Sequence, residues 1–242
     1  MKLALDIGNT QIKLGIFDHL KLIHTEYLQH SDNQNANLNY IKKYKPTASI
    51  ISSVVPNLTD KYVKNIYNIL GLDSLIVNNE NCHIDLKVSE PNTVGADRIC
   101  NVVAAIKIYK KPTIVVDFGT ATTYDVINEN GQFIGGVIAP GIKTSSQYLI
   151  KKAALLNNVD FGFPEKVIGI NTEDNIKSGI MFGAIDQIEG MIKRINAETK
   201  QNNNIILTGG FSKLISPNIS LNHTCDIDLT LKGMIIIHES NN

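Results

Sequence analysis

The chain contains no tryptophan, only three cysteines and no long apolar run. A membrane-spanning helix needs about 18 apolar residues in succession. The longest runs here, such as the one around Ile235 to Ile237, are strand-sized. Cys82, Cys100 and Cys225 are odd in number and widely spaced, which indicates neither a disulfide framework nor a zinc site. Net charge is missing too: 23 basic and 23 acidic side chains cancel to +0, so the electrostatic footprint of a nucleic-acid binder is absent. Neither a GxxxxGK[ST] loop nor a GxGxxG loop occurs, and no Gly-x-Ser-x-Gly elbow supports a serine hydrolase. Asp6 interrupts any signal-peptide core in MKLALDIGNT. A soluble, reduced, cytoplasmic protein with neither a membrane nor a nucleic acid as partner is the expectation.

What is present is a globular composition, 43% hydrophobic and 19% charged over 242 residues. That length accommodates one large domain or two small ones. An internal echo favours two. The apolar run Leu3-Ala4-Leu5 leads into Asp6-Ile7-Gly8-Asn9-Thr10, and Thr113-Ile114-Val115-Val116 leads into Asp117-Phe118-Gly119-Thr120. The aspartates lie 111 residues apart, nearly half the chain, a spacing that suits a duplicated domain rather than a solenoid. Each is followed by a returning strand, Ile12 to Asp18 and Thr122 to Ile127, and Asn130-Gly131 marks a further hairpin turn. The division expected is 1–112 and 113–242, each half opening with a strand meander and passing to helices. Apolar spacing predicts helices at about Asn37 to Tyr44, Leu58 to Leu70, Val94 to Tyr109 and Thr172 to Lys200. The Asn- and Gln-rich stretch from His30 to Asn39 reads as a surface loop.

Glycine two residues after a strand-ending aspartate lets the backbone turn tightly and approach an anion without a Cβ in the way. Backbone N–H groups and the hydroxyls of Thr10 or Thr120 can then cradle phosphates. The aspartates would repel those phosphates unless a cation lies between them, either Mg²⁺ or a monovalent ion. Gly95-Ala96-Asp97-Arg98 opens a predicted helix. Asp97 suits the positive end of the helix dipole and Arg98 does not, so Arg98 is expected to have a partner such as an anionic substrate. Gly135-Gly136 through Pro140-Gly141 is too glycine-rich for a plain strand and reads as backbone approaching a ligand or another chain. Thr208-Gly209-Gly210 reads equally as a nucleotide contact or a plain turn. The six histidines are scattered and expected at the surface; Cys82 and Cys100 are expected as small core fillers.

Taken together, these segments resemble the type III pantothenate kinases, members of the actin-like, sugar-kinase-like ATPase superfamily. The resemblance runs along nearly the whole chain. It rests on Asp6 to Thr10, Ser52-Ser53-Val54-Val55-Pro56, Val94 to Arg98, Asp117 to Thr122, Gly135 to Gly141, Thr208 to Gly210 and Asp228-Leu229-Thr230-Leu231-Lys232-Gly233. It implies an α/β fold of duplicated ribonuclease H-like domains, each a mixed five-stranded sheet with flanking helices. The implied activity is ATP-dependent phosphorylation of pantothenate, the first step of coenzyme A biosynthesis. By the same resemblance ATP is contacted by Asp6, Ile7, Gly8, Asn9, Thr10, Gln11, Ile12, Lys13 and Thr120. Pantothenate is contacted by Gly95, Ala96, Asp97 and Arg98, with Asp97 as the proton acceptor and Thr172 as a second contact. Thr172, followed by Glu173 and Asp174, also reads as a helix N-cap. Asp117 is implied to bind a monovalent cation, K⁺ or NH₄⁺, in addition to the Mg²⁺ carried by ATP, and the assembly implied is a homodimer. The sequence departs from the family at Lys87-Val88-Ser89-Glu90-Pro91, where many members carry a tyrosine and an asparagine at the places of Val88 and Glu90. Two other readings are an ATP-binding accessory or regulatory protein of the same family, and an actin-like kinase for another small hydroxylated substrate.

Overall fold

Two five-stranded mixed sheets carry the chain, and the same strand order recurs in both. The computed structural model describes residues 1–29, 38–109, 111–152 and 160–242. In the first sheet β1 (Lys2–Ile7) is central, antiparallel to β2 (Gln11–Asp18) and parallel to β4 (Ala48–Ser53). Edge strands β3 (Lys21–Gln29) and β5 (Ser74–Ile76) complete the order β3-β2-β1-β4-β5. In the second, β6 (Thr113–Phe118) is central, antiparallel to β7 (Ala121–Ile127) and parallel to β9 (Asn204–Gly209). With β8 (Phe133–Pro140) and β10 (Thr224–Cys225) it runs β10-β9-β6-β7-β8. The expected duplication is therefore a duplication of topology. Central strands are buried on both faces, as Leu3, Ala4, Leu5 and Ile114, Val115, Val116 show. The edge strand β3 alternates exposed and half-buried residues instead.

The compact units do not divide at 112/113. The first comprises Met1–Lys110, Gly131–Ile134 and Asp228–Asn242; the second comprises Lys111–Asn130 and Gly135–Ile227. The cause is helix packing. In the first unit lie α1 (Pro56–Leu70), α2 (Ala96–Ile108) and α6 (Leu229–Ser240). Helix α6 buries Leu231, Met234, Ile235, Ile236 and Ile237 in the same core as Ala4, Cys100 and Val103. A Cβ on Gly233 would overlap the backbone carbonyl of Cys100, so glycine sets how closely α6 approaches α2. The run read as strand-sized is thus a helix, apolar on nearly every side and lacking a surface stripe to betray its period.

The second unit holds α3 (Ile142–Lys152), α4 (Thr172–Thr199) and the short α5 (Ser212–Ile215). Along α4, Met181, Ile185, Ile188, Ile192 and Ile195 pack on Ile114, Val116 and Leu207 of the sheet. Helix α3 was not legible in the sequence. The glycine-rich stretch before Gly141 forms strand β8 at the sheet edge, with Gly135 at φ +118° where a side chain would strain the backbone. Residues 38–44 form a 3₁₀ helix, and the remainder of the expected surface loop, 30–37, lies outside the described residues. The histidines do not all lie at the surface. His24 is half-buried and stacks on Tyr44 with ring centroids 5.3 Å apart, and His223 is held by Ser216 (2.7 Å) and the Leu221 carbonyl (2.7 Å). Among the described residues, no helix is long and apolar enough to cross a membrane.

Candidate active site

In the first unit, β1 ends at Ile7 and the chain turns through Gly8, Asn9 and Thr10 into β2. The turn is closed by the Gly8 amide donating to the Gln11 carbonyl at 3.1 Å. Asp6 lies between Lys13 on β2 and Ser52 on β4, the two residues directly opposite it. Ser52, fully buried, donates its hydroxyl to Asp6 Oδ1 at 3.0 Å. The Lys13 ammonium meets Asp228 Oδ1 at 2.9 Å, so the base of α6 balances the charge of Lys13. Behind this turn, burial and then the charges of Asp6 and Asp97 push the Cys100 thiol well up, opposed by a hydrogen bond with Ser52. An un-ionised, buried Cys100 is a filler and not a nucleophile, as expected.

Gly95 is the N-cap of α2, and Ala96, Asp97 and Arg98 form its first turn. Asp97 Oδ1 accepts the Arg98 backbone N–H at 2.8 Å. A Cβ on Gly95 would come within 2.5 Å of that same oxygen, so glycine leaves the space the carboxylate occupies. Burial raises the Asp97 carboxyl above its ordinary value, while the Arg98 amide and guanidinium draw it back. A carboxylate so placed is poised to accept a proton at higher pH than a solvated aspartate. The Arg98 guanidinium carbon lies 5.4 Å from the centre of the Phe133 ring.

In the second unit, β6 turns into β7 through Gly119 and Thr120, one residue fewer than in the first hairpin. Here Asp117 lies between Thr123 on β7 and Thr208 on β9. The hydroxyls of Thr123 and Thr208 are buried without a protein hydrogen-bond partner among the described residues. At Gly209, φ +87°, a Cβ would collide with Asp117 Oδ1. Carboxylate and hydroxyl oxygens gathered in this way suit a hard cation bound through oxygen. No cluster of three or more His, Cys, Asp or Glu side chains gathers among the described residues. The Thr120 carbonyl accepts from the Gly141 amide (3.1 Å) and the Thr144 hydroxyl (2.7 Å), fixing the turn against the start of α3.

Thr172 is the first residue of α4, but it is not the cap. Asn171 is, its side chain accepting the Asp174 N–H at 2.9 Å. The Thr172 hydroxyl is thereby spared the capping role. Thr172 lines a groove of about 620 Å³ together with Pro140, Leu149, Ile176, Gly179 and Ile180. The sequence had not singled out a role for Ser52, Thr123 or Phe133, and it read Thr208 as a nucleotide contact or a plain turn, not as a neighbour of Asp117. Ser52 stands in a quoted motif, yet its bond to Asp6 depends on which strands become neighbours.

An Asp-x-Gly hairpin repeated at the same place in two sheets of one topology defines the class: an actin-like, sugar-kinase-like ATPase fold. A sequence model of the family described as type III pantothenate kinase matches residues 2–194. The chain is 37% identical over 256 residues to a type III pantothenate kinase of Halalkalibacterium halodurans, and 38% identical over 253 residues to one of Moorella thermoacetica. Both alignments cover 100% of this chain and 100% of the relative. The chain belongs to the type III pantothenate kinase family. Among solved structures, a Campylobacter jejuni protein described as a Baf family transcriptional activator shares the fold, with a TM-score of 0.64 and 21% identity over 99% of this chain and 98% of its own.

Proposed function

We propose that the protein transfers the terminal phosphoryl group of ATP to the primary hydroxyl of pantothenate, the first step of coenzyme A biosynthesis. The observation that carries this reading is the first turn of α2, which the resemblance implies is the substrate motif, folded around an intact carboxylate. Phosphoryl transfer asks little covalent chemistry of the protein; it asks for alignment and for compensation of charge. Asp97 orients the attacking hydroxyl and takes its proton. Arg98 offers a forked donor to an anionic part of the substrate. The stretch from Asp6 to Lys13 and, in the second unit, Thr120 contact ATP, with the Gly8 and Gly119 turns offering room for phosphate. Mg²⁺, when bound with ATP, neutralises charge on the phosphate oxygens; Asp6, steadied by Ser52, is the carboxylate suited to hold it.

Asp117 is the proposed ligand of K⁺ or NH₄⁺, and the two buried threonine hydroxyls beside it support that role. Thr172 is the proposed second pantothenate contact, and a homodimer in the cytoplasm is the proposed working form. The test is a coupled assay for ADP. Release is expected only with pantothenate present and to fall when K⁺ is exchanged for Na⁺. ADP release independent of pantothenate would favour another acceptor, and none under any condition would favour a regulatory ATP-binding role.

A further inference from the structure

Asn130 is the only asparagine in the chain that a glycine follows. The pair lies in the turn between β7 and β8, with Asn130 exposed and Gly131 at φ +74°. Both flanks of the pair are tied down. On one side, Glu129 Oε2 accepts the side-chain amide of Gln201, just past the end of α4. On the other, the Gln132 side-chain amide donates to Asp85 Oδ2 at 2.7 Å. The Phe133 amide donates to the Asp85 carbonyl (2.9 Å), and the Phe133 carbonyl accepts from the Lys87 amide (2.8 Å). These two bonds make a parallel bridge between Phe133 and Leu86. The chain passes from the second unit into the first between Asn130 and Gly131, and returns between Ile134 and Gly135. The register of the strap 131–134 on residues 85–87 is therefore set across the Asn130–Gly131 peptide.

Glycine has no side chain to shield its amide nitrogen, and the side-chain carbonyl of a preceding asparagine is one ring closure away from it. Attack of the Gly131 nitrogen on Asn130 Cγ forms a C–N bond and expels the side-chain nitrogen as ammonia, which carries off the Gly131 amide proton. A five-membered cyclic imide remains. Water then adds to one of its two carbonyls and breaks that carbonyl's bond to the Gly131 nitrogen. Opening at Cγ gives aspartate; opening at the main-chain carbonyl gives isoaspartate, whose main chain runs through Cβ and Cγ. We propose that Asn130 is a spontaneous modification site, where deamidation with isomerisation lengthens the main chain by a carbon at the entry to the strap and displaces Phe133 from its register with Leu86. Each product also carries a new negative charge, but only isoaspartate alters the backbone.

The test incubates the purified full chain in mildly alkaline buffer and maps its peptides by electron-transfer fragmentation, which tells isoaspartate from aspartate. Isoaspartate at position 130 is expected as the chief product. Its rate of formation should rise about tenfold per pH unit, because the attacking nitrogen must first lose its proton. The isoaspartate form, separated by anion exchange, should melt about 4 °C below the parent. Asn130→Asp, with the same charge and an ordinary backbone, should melt within about 1 °C of the parent. Treatment with an isoaspartyl methyltransferase and S-adenosylmethionine, which returns isoaspartate to aspartate through the imide, should restore the melting temperature. Asn130→Ser should show no change on incubation. No isoaspartate at position 130, or as much at other asparagines, overturns the site. An isoaspartate form that melts with the parent overturns the displacement of the strap, as does an equal fall in Asn130→Asp, which would assign the loss to charge.

Discussion

The two Asp-x-Gly hairpins share a backbone plan and differ in what flanks the aspartate. Asp6 has a lysine on one side and a donating serine on the other. Asp117 has two threonines whose buried hydroxyls have no hydrogen-bond partner among the described residues. One carboxylate is already committed to a donor and stands next to a fixed positive charge that Asp228 answers. The other stands among neutral oxygens that accept a cation as readily as they donate. The carboxylate holds the same position in both hairpins, and under the proposed roles it is the directly opposed cross-strand residues that set which ion each one suits.

Removing the charge at each site separates the two roles. Asp6→Asn is expected to lower turnover about 10³-fold whatever monovalent ion is present, measured as ADP release at saturating ATP. Asp117→Asn should cost about tenfold to 10²-fold and make the remaining activity climb with KCl concentration; a variant indifferent to K⁺ would remove Asp117 from the cation role. Asp97 has no counterpart in the comparison and supplies its pH axis. Its carboxyl is raised by burial, so protonation begins at higher pH than for a free aspartate. Turnover should fall about tenfold per pH unit below that raised value, and Asp97→Asn should flatten this acid limb along with most of the activity. The sign for stability is opposite. A raised carboxyl penalises the folded state once ionised, so this group's contribution to stability grows as pH drops through its folded pKa. Urea melts of the parent and of Asp97→Asn should therefore diverge most at neutral pH, with the variant no less stable.

Smaller effects refine the contrast. Gly209→Ala should destabilise the fold by about 2 kcal/mol in urea denaturation, because φ is positive and the new methyl meets Asp117. It should also raise the K⁺ requirement and leave the ATP KM nearly unchanged. Ser52→Ala should do the reverse, raising the ATP KM about fivefold with no change in K⁺ response, since it removes only the donor to Asp6. If the two variants behaved alike, the hairpins would not be specialised.

The hairpins were legible because each is local: an apolar run, an aspartate and a glycine within seven residues. Helix α2 and the long α4 were legible from their periodicity, and α1 carries Pro56 at its start and Gly71 in the left-handed region at its end. Helix α6 was not, because a helix buried all round has no polar face to mark its turns. Chain pairing hid the rest. Lys13 and Asp228 are 215 positions apart, Ser52 and Asp6 are 46 apart, and Phe133 bridges Leu86, a pair that no local pattern links. At Thr172 the cap lay one position earlier, on Asn171, a shift within the ordinary uncertainty of helix ends.

The placement of α6 has a consequence for synthesis. The first sheet cannot bury its face over Ala4 and Ile50 until residues near the far end of the chain have been made, because Met234, Ile235 and Ile237 belong to that core. As the polypeptide leaves the ribosome, the second unit is therefore the one whose sequence is finished first, although it begins later. The opening 110 residues wait, with an apolar surface that chaperones can recognise, until the closing helix arrives.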